Sequence, residues 1–140
     1  MSKPKVVNTS TKTYISNEKP YHVAYFRPMK KNVLIKEVGL DPDKFNIQEY
    51  FSVSRLLSGE TEIKYGASIH TKSLFGYDYT LTDKYVTKDV SEDKDYELSN
   101  IADRYYDEVK DMLIKELRSS NTVAEILIKQ DIKKYLKDNE

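Results

Sequence analysis

Hydrophobic residues repeat at every second position over two stretches in the middle of the chain. The apolar members are Ile63, Tyr65, Ala67 and Ile69 in the first stretch, and Phe75, Tyr77, Tyr79 and Leu81 in the second. A period of two is typical of β-strands that bury one face. The short spacer at residues 71–74 predicts an antiparallel hairpin, and residues 85–87 extend the same sheet.

Two strands and a helix are predicted ahead of this hairpin. Residues 21–26 alternate in the same way, and Pro28 ends that strand because it cannot donate a ladder hydrogen bond. Residues 33–38 are predicted as the next strand. Asp41-Pro42 is a favourable helix start and Ser58-Gly59 a favourable stop, so a helix is predicted near residues 41–58.

The last third of the chain is predicted to be helical. Apolar residues fall at three- and four-residue steps from Ile101 to Leu117, which indicates an amphipathic helix after an acidic loop at residues 88–97. Thr122 and Glu125 form a capping box that opens a second helix. The predicted fold class is α+β, an antiparallel β-sheet with the helix near 41–58 and two C-terminal helices packed on one face.

Composition adds a domain boundary to this pattern. The chain has 140 residues and no cysteine, which excludes a disulfide framework and a zinc-thiolate site. Residues 21–140 are long enough to form a single domain with a buried core. Residues 1–20 are rich in Lys, Ser, Thr and Asn, so we predict an extended basic N-terminal arm that cannot bury a core of its own.

Charge is unevenly distributed although the chain is neutral overall. Residues 1–36 carry eight cations and one anion, whereas residues 78–111 carry eleven acidic and five basic side chains. These two segments are electrostatically complementary. The arm of one copy is therefore expected to pair with the acidic segment of a second copy, or with an acidic protein partner.

No catalytic or ligand motif rises above the background of this charged sequence. His22 and His70 lack the spacing of a two-histidine phosphoesterase, and the nuclease-like Glu62-x-Lys64 triplet recurs elsewhere as an acid-x-Lys pattern. The acidic run at residues 89–97 lacks the glycine of a calcium loop, and the glycines are too isolated for a phosphate loop. We therefore expect no enzyme activity, no cofactor and no metal site.

Tyrosine is the unusual residue, with twelve copies and no tryptophan. Tyrosine suits interfaces because its large ring carries a polar tip, but it is also common in sheet cores, and AT-rich coding DNA raises its frequency. Both readings remain open. The candidate binding residues combine the basic arm with exposed aromatic positions: Lys12, Lys19, Tyr21, Tyr25, Phe26, Arg27, Lys30, Lys31, Tyr77 and Tyr79.

These features favour a non-enzymatic interaction or structural subunit, which docks on a protein partner or on its own copies. The alternative is an accessory protein that binds single-stranded nucleic acid through the same basic and aromatic residues. No apolar run approaches the roughly 20 residues of a membrane span, and no apolar stretch follows the N-terminal lysines as in a secretory signal. We expect an intracellular protein without membrane contact, or a virion protein if the composition reflects a bacteriophage or mobile element.

Overall fold

A computed structural model describes residues 5–6, 11–14, 22–30, 32–72 and 79–139, with side chains from Val23 onward. The elements in chain order are β1 (Lys5–Val6), β2 (Thr11–Tyr14), β3 (His22–Phe26), α1 (Val33–Val38), β4 (Phe45–Leu56), β5 (Thr61–Thr71), β6 (Thr80–Asp89), α2 (Leu98–Ser119) and α3 (Asn121–Asp138). The strands form one sheet in sequence order, and each neighbouring pair is antiparallel. Two segments of the predicted arm, β1 and β2, thus pair within this sheet.

The α+β class and both C-terminal helices are confirmed. All three helices pack against the same face of the sheet, which we call the inner face, and the opposite side is the outer face. Strand β3 agrees with the predicted strand at residues 21–26, and β5 agrees with the first alternating stretch. In the second alternating stretch, residues 73–78 lie outside the described residues, and β6 begins at Thr80 and continues through residues 85–87.

The helix predicted near residues 41–58 is wrong, because this segment forms the long strand β4. Phe51 and Val53 are buried on the inner face while Gln48 and Tyr50 are exposed, which is a period of two. Asp41 caps a turn instead of a helix, since its carboxylate accepts a hydrogen bond from the Asp43 backbone N–H at 2.8 Å. An Asx turn uses the same residue type as a helix N-cap, so the local signal was ambiguous.

The strand predicted over residues 33–38 is also wrong, because these residues form helix α1. Leu34, Ile35 and Val38 are buried in the core, a spacing that fits one face of a helix. Gly39 ends the helix at φ 103°, in the left-handed region that favours glycine. The segment is too short for its period to be read from sequence.

The core lies between the inner face and helix α2. The buried side chains of α2 are Leu98, Ile101, Ala102, Val109, Leu113 and Leu117. Phe51, Tyr65 and Tyr106 join β4, β5 and α2 through ring contacts, with centroids 5.1 Å apart for Phe51 and Tyr65 and 6.0 Å apart for Tyr65 and Tyr106. Such aromatic contacts add to the stability that comes from burial alone.

The connection between β6 and α2 is held by two arginines. Arg55 donates hydrogen bonds to the backbone carbonyl oxygens of Asp95 at 2.7 Å and Asp93 at 3.0 Å. Arg104 forms ion pairs with the carboxylates of the same two residues. The acidic loop predicted at residues 88–97 is therefore shorter than expected, because β6 extends to Asp89, and it is tied to the sheet and to α2.

Helix α3 is amphipathic but only its first half packs on the core. Val123 is fully buried, whereas Ile128, Ile132 and Leu136 are each more than half exposed. The capping box predicted at Thr122 is wrong, because the helix begins at Asn121 and its N-cap residue makes no side-chain cap hydrogen bond.

We expect Leu113→Ala to lower the free energy of unfolding by about 2 to 5 kcal/mol, because it leaves a cavity in the fully buried interface between α2 and the sheet. Asp107→Ala on the same helix should change it by less than about 0.5 kcal/mol, because that side chain is 92% exposed. Urea denaturation of both variants measures the difference. Equal destabilisation would contradict the assignment of the two helix faces.

Candidate functional site

The outer face of the sheet carries exposed aromatic side chains on β3, β4 and β6. Tyr50 on β4 is 41% exposed, Tyr85 on β6 is 59% exposed and Phe26 on β3 is 39% exposed. Alternation along each strand puts these rings opposite the buried residues of the inner face. Phe26, Tyr50, Tyr85 and the intervening Lys64 are called the aromatic patch below.

The strand register brings the patch together. Tyr50 lies directly opposite Gly66 on β5, and Gly66 lies opposite Tyr85 on β6. The two tyrosines therefore stand two strands apart, at roughly 10 Å. The Lys64 ammonium group is 4.5 Å from the centre of the Tyr85 ring and 5.7 Å from that of Tyr50. These cation–π contacts keep the lysine chain along the sheet between the two rings.

Gly66 makes this arrangement sterically feasible. A Cβ atom at position 66 would collide with the ring of Tyr50, which leans over the glycine backbone. Glycine in the interior of a strand marks such a close approach, and the overlying aromatic ring shields the exposed backbone. The residue at position 66 thus determines how Tyr50 is presented.

Acidic side chains accompany the patch on the outer face. Glu62 and Asp89 are directly opposed across β5 and β6, and Asp83 lies further along β6. The Asp89 carboxylate accepts hydrogen bonds from the hydroxyl and backbone N–H of Ser91, which lowers its pKa and keeps it charged. From β3 to β6, the outer face carries these three carboxylates and Lys64 as its only lysine, and no arginine.

The structure separates the candidate residues predicted from sequence. Phe26 is in the aromatic patch, but Tyr25 points to the inner face and packs against the core. Arg27 and Lys30 line a pocket on the helix side, and Tyr79 is exposed just before β6. Lys12 is described only as a backbone position in β2. The remaining candidates, Lys19, Tyr21, Lys31 and Tyr77, lie outside the described residues.

Beside this pocket, Glu49 and Tyr65 form a polar contact on the inner face. The Tyr65 hydroxyl donates a hydrogen bond of 2.5 Å to a carboxylate oxygen of Glu49. Partial burial raises the pKa of Glu49 above its usual value, and the hydrogen bond from Tyr65 opposes that rise. Burial, followed by the adjacent carboxylate, also raises the pKa of the Tyr65 hydroxyl.

Sequence reasoning missed most of these residues. The sequence pattern places Tyr50 and Glu49 in the predicted helix near 41–58, and it places Tyr85 in an extension of the sheet. The useful signal was Gly66 inside an otherwise regular strand pattern, because interior glycines indicate a close neighbour. The partner of Gly66 could be identified only once the register of β4 was known.

Comparisons with protein-family models, curated proteins and solved structures find no match to this chain. Within the described residues, no helix is both long enough and apolar enough to cross a membrane. The same residues contain no group of three or more His, Asp and Glu side chains arranged to hold a metal ion.

We expect the stability of the chain to depend on pH through Glu49. Its pKa is raised above the usual 4.5 in the folded state, so its favourable contribution is complete below 4.5 and is lost as pH rises through the raised value. The Glu49→Gln variant cannot titrate but can still accept the Tyr65 hydrogen bond. Over this pH interval, the free energy of unfolding of the variant should therefore increase relative to that of the natural chain.

Urea denaturation between about pH 4 and about pH 8 measures this gain. The exposed Glu116→Gln variant is the matched control and should show no pH-dependent difference. A constant difference between the Glu49→Gln variant and the natural chain at every pH would contradict the raised pKa.

Proposed function

We propose that the chain is a non-enzymatic interaction protein whose outer sheet face binds a basic surface on a protein, either a different protein or a second copy. The observation that carries this proposal is the aromatic patch. Its rings are exposed, adjacent in the register and surrounded by small polar residues such as Ser52, Ser68 and Thr87. Aromatic anchors among small hydroxyl residues are common in protein-binding surfaces.

Electrostatics supports a basic protein as the partner. Glu62 and Asp89 are acidic residues directly opposed across β5 and β6, and among the described residues neither forms an ion pair. A lysine or arginine from a partner could pair with both carboxylates. The sequence itself supplies a suitable segment, since residues 1–36 carry eight cations against one anion. A second copy is therefore a partner with the required charge.

Single-stranded nucleic acid is the second candidate, because Phe26, Tyr50 and Tyr85 could stack bases beside Lys64. Base stacking on an exposed sheet is a common way to bind single strands. However, phosphate binding requires a surplus of cations, and between β3 and β6 this face carries three carboxylates and one lysine. The charge of this part of the outer face thus favours a basic protein over a nucleic acid.

Photocrosslinking from position 85 tests this proposal. With benzoylphenylalanine in place of Tyr85, we expect crosslinks to a second copy or to one defined protein, identified by mass spectrometry. Benzoylphenylalanine in place of Tyr96, which is 89% exposed but lies in the loop before α2, is the matched control. Crosslinking to the same protein with equal yield from both positions would contradict a specific interface.

Affinity measurements with the purified partner, or sedimentation when the partner is a second copy, then give the energetic contribution of the patch. Tyr85→Ser should weaken binding by about tenfold or more, as expected for an interface anchor. Tyr96→Ser should change it by less than about twofold. Glu62→Gln should also weaken binding, and the effect should be larger at low salt than at high salt, because rim charges act through long-range attraction.

Fluorescent single-stranded DNA and RNA at about 50 and 200 mM salt test the alternative. We expect no micromolar binding of either nucleic acid at the lower salt concentration. Binding that falls by roughly a hundredfold over this range, and that is abolished by Tyr85→Ser and by Lys64→Gln, would overturn the proposal in favour of nucleic acid.

A further inference from the structure

A pocket of about 220 Å³ lies on the helix side of the sheet, between the loop after β3, strand β4 and helix α2. Three cationic side chains line it: Arg27, Lys30 and Lys110. Glu49 is the only carboxylate among its described lining residues. The lining residues themselves therefore carry more positive than negative charge, although the chain as a whole is neutral.

Contacts with neighbouring side chains fix the orientation of two of the three cations. The Arg27 guanidinium lies 4.1 Å from the centre of the Tyr106 ring and forms an ion pair with Asp103 at 2.9 Å. Lys110 pairs with Glu37 at 3.2 Å. Ion pairs with such solvent-accessible carboxylates are weak, so they orient the cations without preventing contact with a bound anion.

Lys30 lies in the same lining. Among the residues that the structure describes, it forms no hydrogen bond or ion pair. Within this part of the chain, no partner has to be displaced for its charge to contact a ligand.

The remaining lining is apolar. Met29, Val33 and Leu34 form one side of the pocket, and Leu34 continues into the buried core. The volume corresponds to about seven water molecules, so the part of a ligand that enters the pocket has fewer than about ten heavy atoms. A suitable ligand has an anionic group for the cations and a short apolar body for this side.

We propose that this pocket binds a carboxylate that carries a short aliphatic chain. The planar fork of Arg27 matches the two oxygens of a carboxylate, and the two lysines add point charges. Inorganic phosphate would leave the apolar side uncovered. A free aliphatic acid and the C-terminal carboxylate of a peptide ending in an aliphatic residue share this chemistry.

Glu49 is the one opposing charge, and its surroundings favour its neutral form. Its carboxyl group is partly buried and accepts the Tyr65 hydrogen bond, and Glu37 on α1 adds a like charge nearby. Tyr106 and Lys110 on α2 line the same pocket. Burial raises its pKa, and a nearby bound anion would raise it further. A protonated Glu49 can donate a hydrogen bond to the ligand.

Titration of the full ¹⁵N-labelled chain with 4-methylpentanoate tests the proposal. We expect saturable shifts of the backbone amides of Val33, Leu34 and Tyr106 at about millimolar concentrations.

A second titration uses the peptide acetyl-Gly-Leu and the same peptide with a C-terminal amide. A response to the free acid identifies a small-molecule site, and a response only to the peptide acid identifies a peptide C-terminus. If the peptide amide causes shifts as large as those of the peptide acid, the proposal is overturned, because the charge of the carboxylate would then be irrelevant.

Three variants separate binding in this pocket from a general effect of charge. Lys30→Gln should raise the dissociation constant about fivefold, because it removes one partly exposed cation. Glu49→Gln should lower it at a pH at which Glu49 is ionised, because the substitution then removes the opposing charge. Lys36→Gln on the exposed side of α1 is the control and should have no effect. The absence of saturable shifts with both acids, or equal effects of Lys30→Gln and Lys36→Gln, would overturn the proposal.

Discussion

The register between β4 and β5 is the constraint on which the rest of the structure depends. The two strands pair without interruption from Phe45 opposite Thr71 to Arg55 opposite Thr61. Because side chains alternate between the faces, a shift of one residue would exchange the core for the outer face. Phe51, Val53 and their partners on β5 are fully buried in the observed register, so the shift would expose the core. The same register places Tyr50 over Gly66.

Helix α2 and strand β5 could be predicted because each shows one unambiguous period over many residues. Strand β4 could not be predicted, because its apolar residues also fit a helix if Ser52 and Ser54 are accepted as unfavourable helix residues. In the structure these serines belong to the outer face, where they satisfy the period of two. Asp41 and Gly59 do not distinguish a helix from a strand in this segment, because both residue types begin or end turns as readily as helices.

The candidate sites were harder to predict than the fold because each depends on pairs that are distant in sequence. The contact between Glu49 and Tyr65 spans 16 positions, and the ion pair between Arg27 and Asp103 spans 76. Composition indicated that tyrosine and lysine were unusual but not which of them share a face. Tyr25 and Phe26 are neighbours in the chain, yet they lie on opposite sides of the sheet.

The fold brings residues from the basic and the acidic segments of the chain together on the helix side of the sheet. Arg27 and Lys30 come from the basic N-terminal third, but they meet Lys110 from the acidic segment to line one pocket on the helix side. Glu62 and Asp89 face the opposite direction. The sheet separates the two surfaces, so a ligand in the pocket and a protein on the aromatic patch would not compete for space. Because β4 contributes Glu49 to the first and Tyr50 to the second, one strand supports both surfaces.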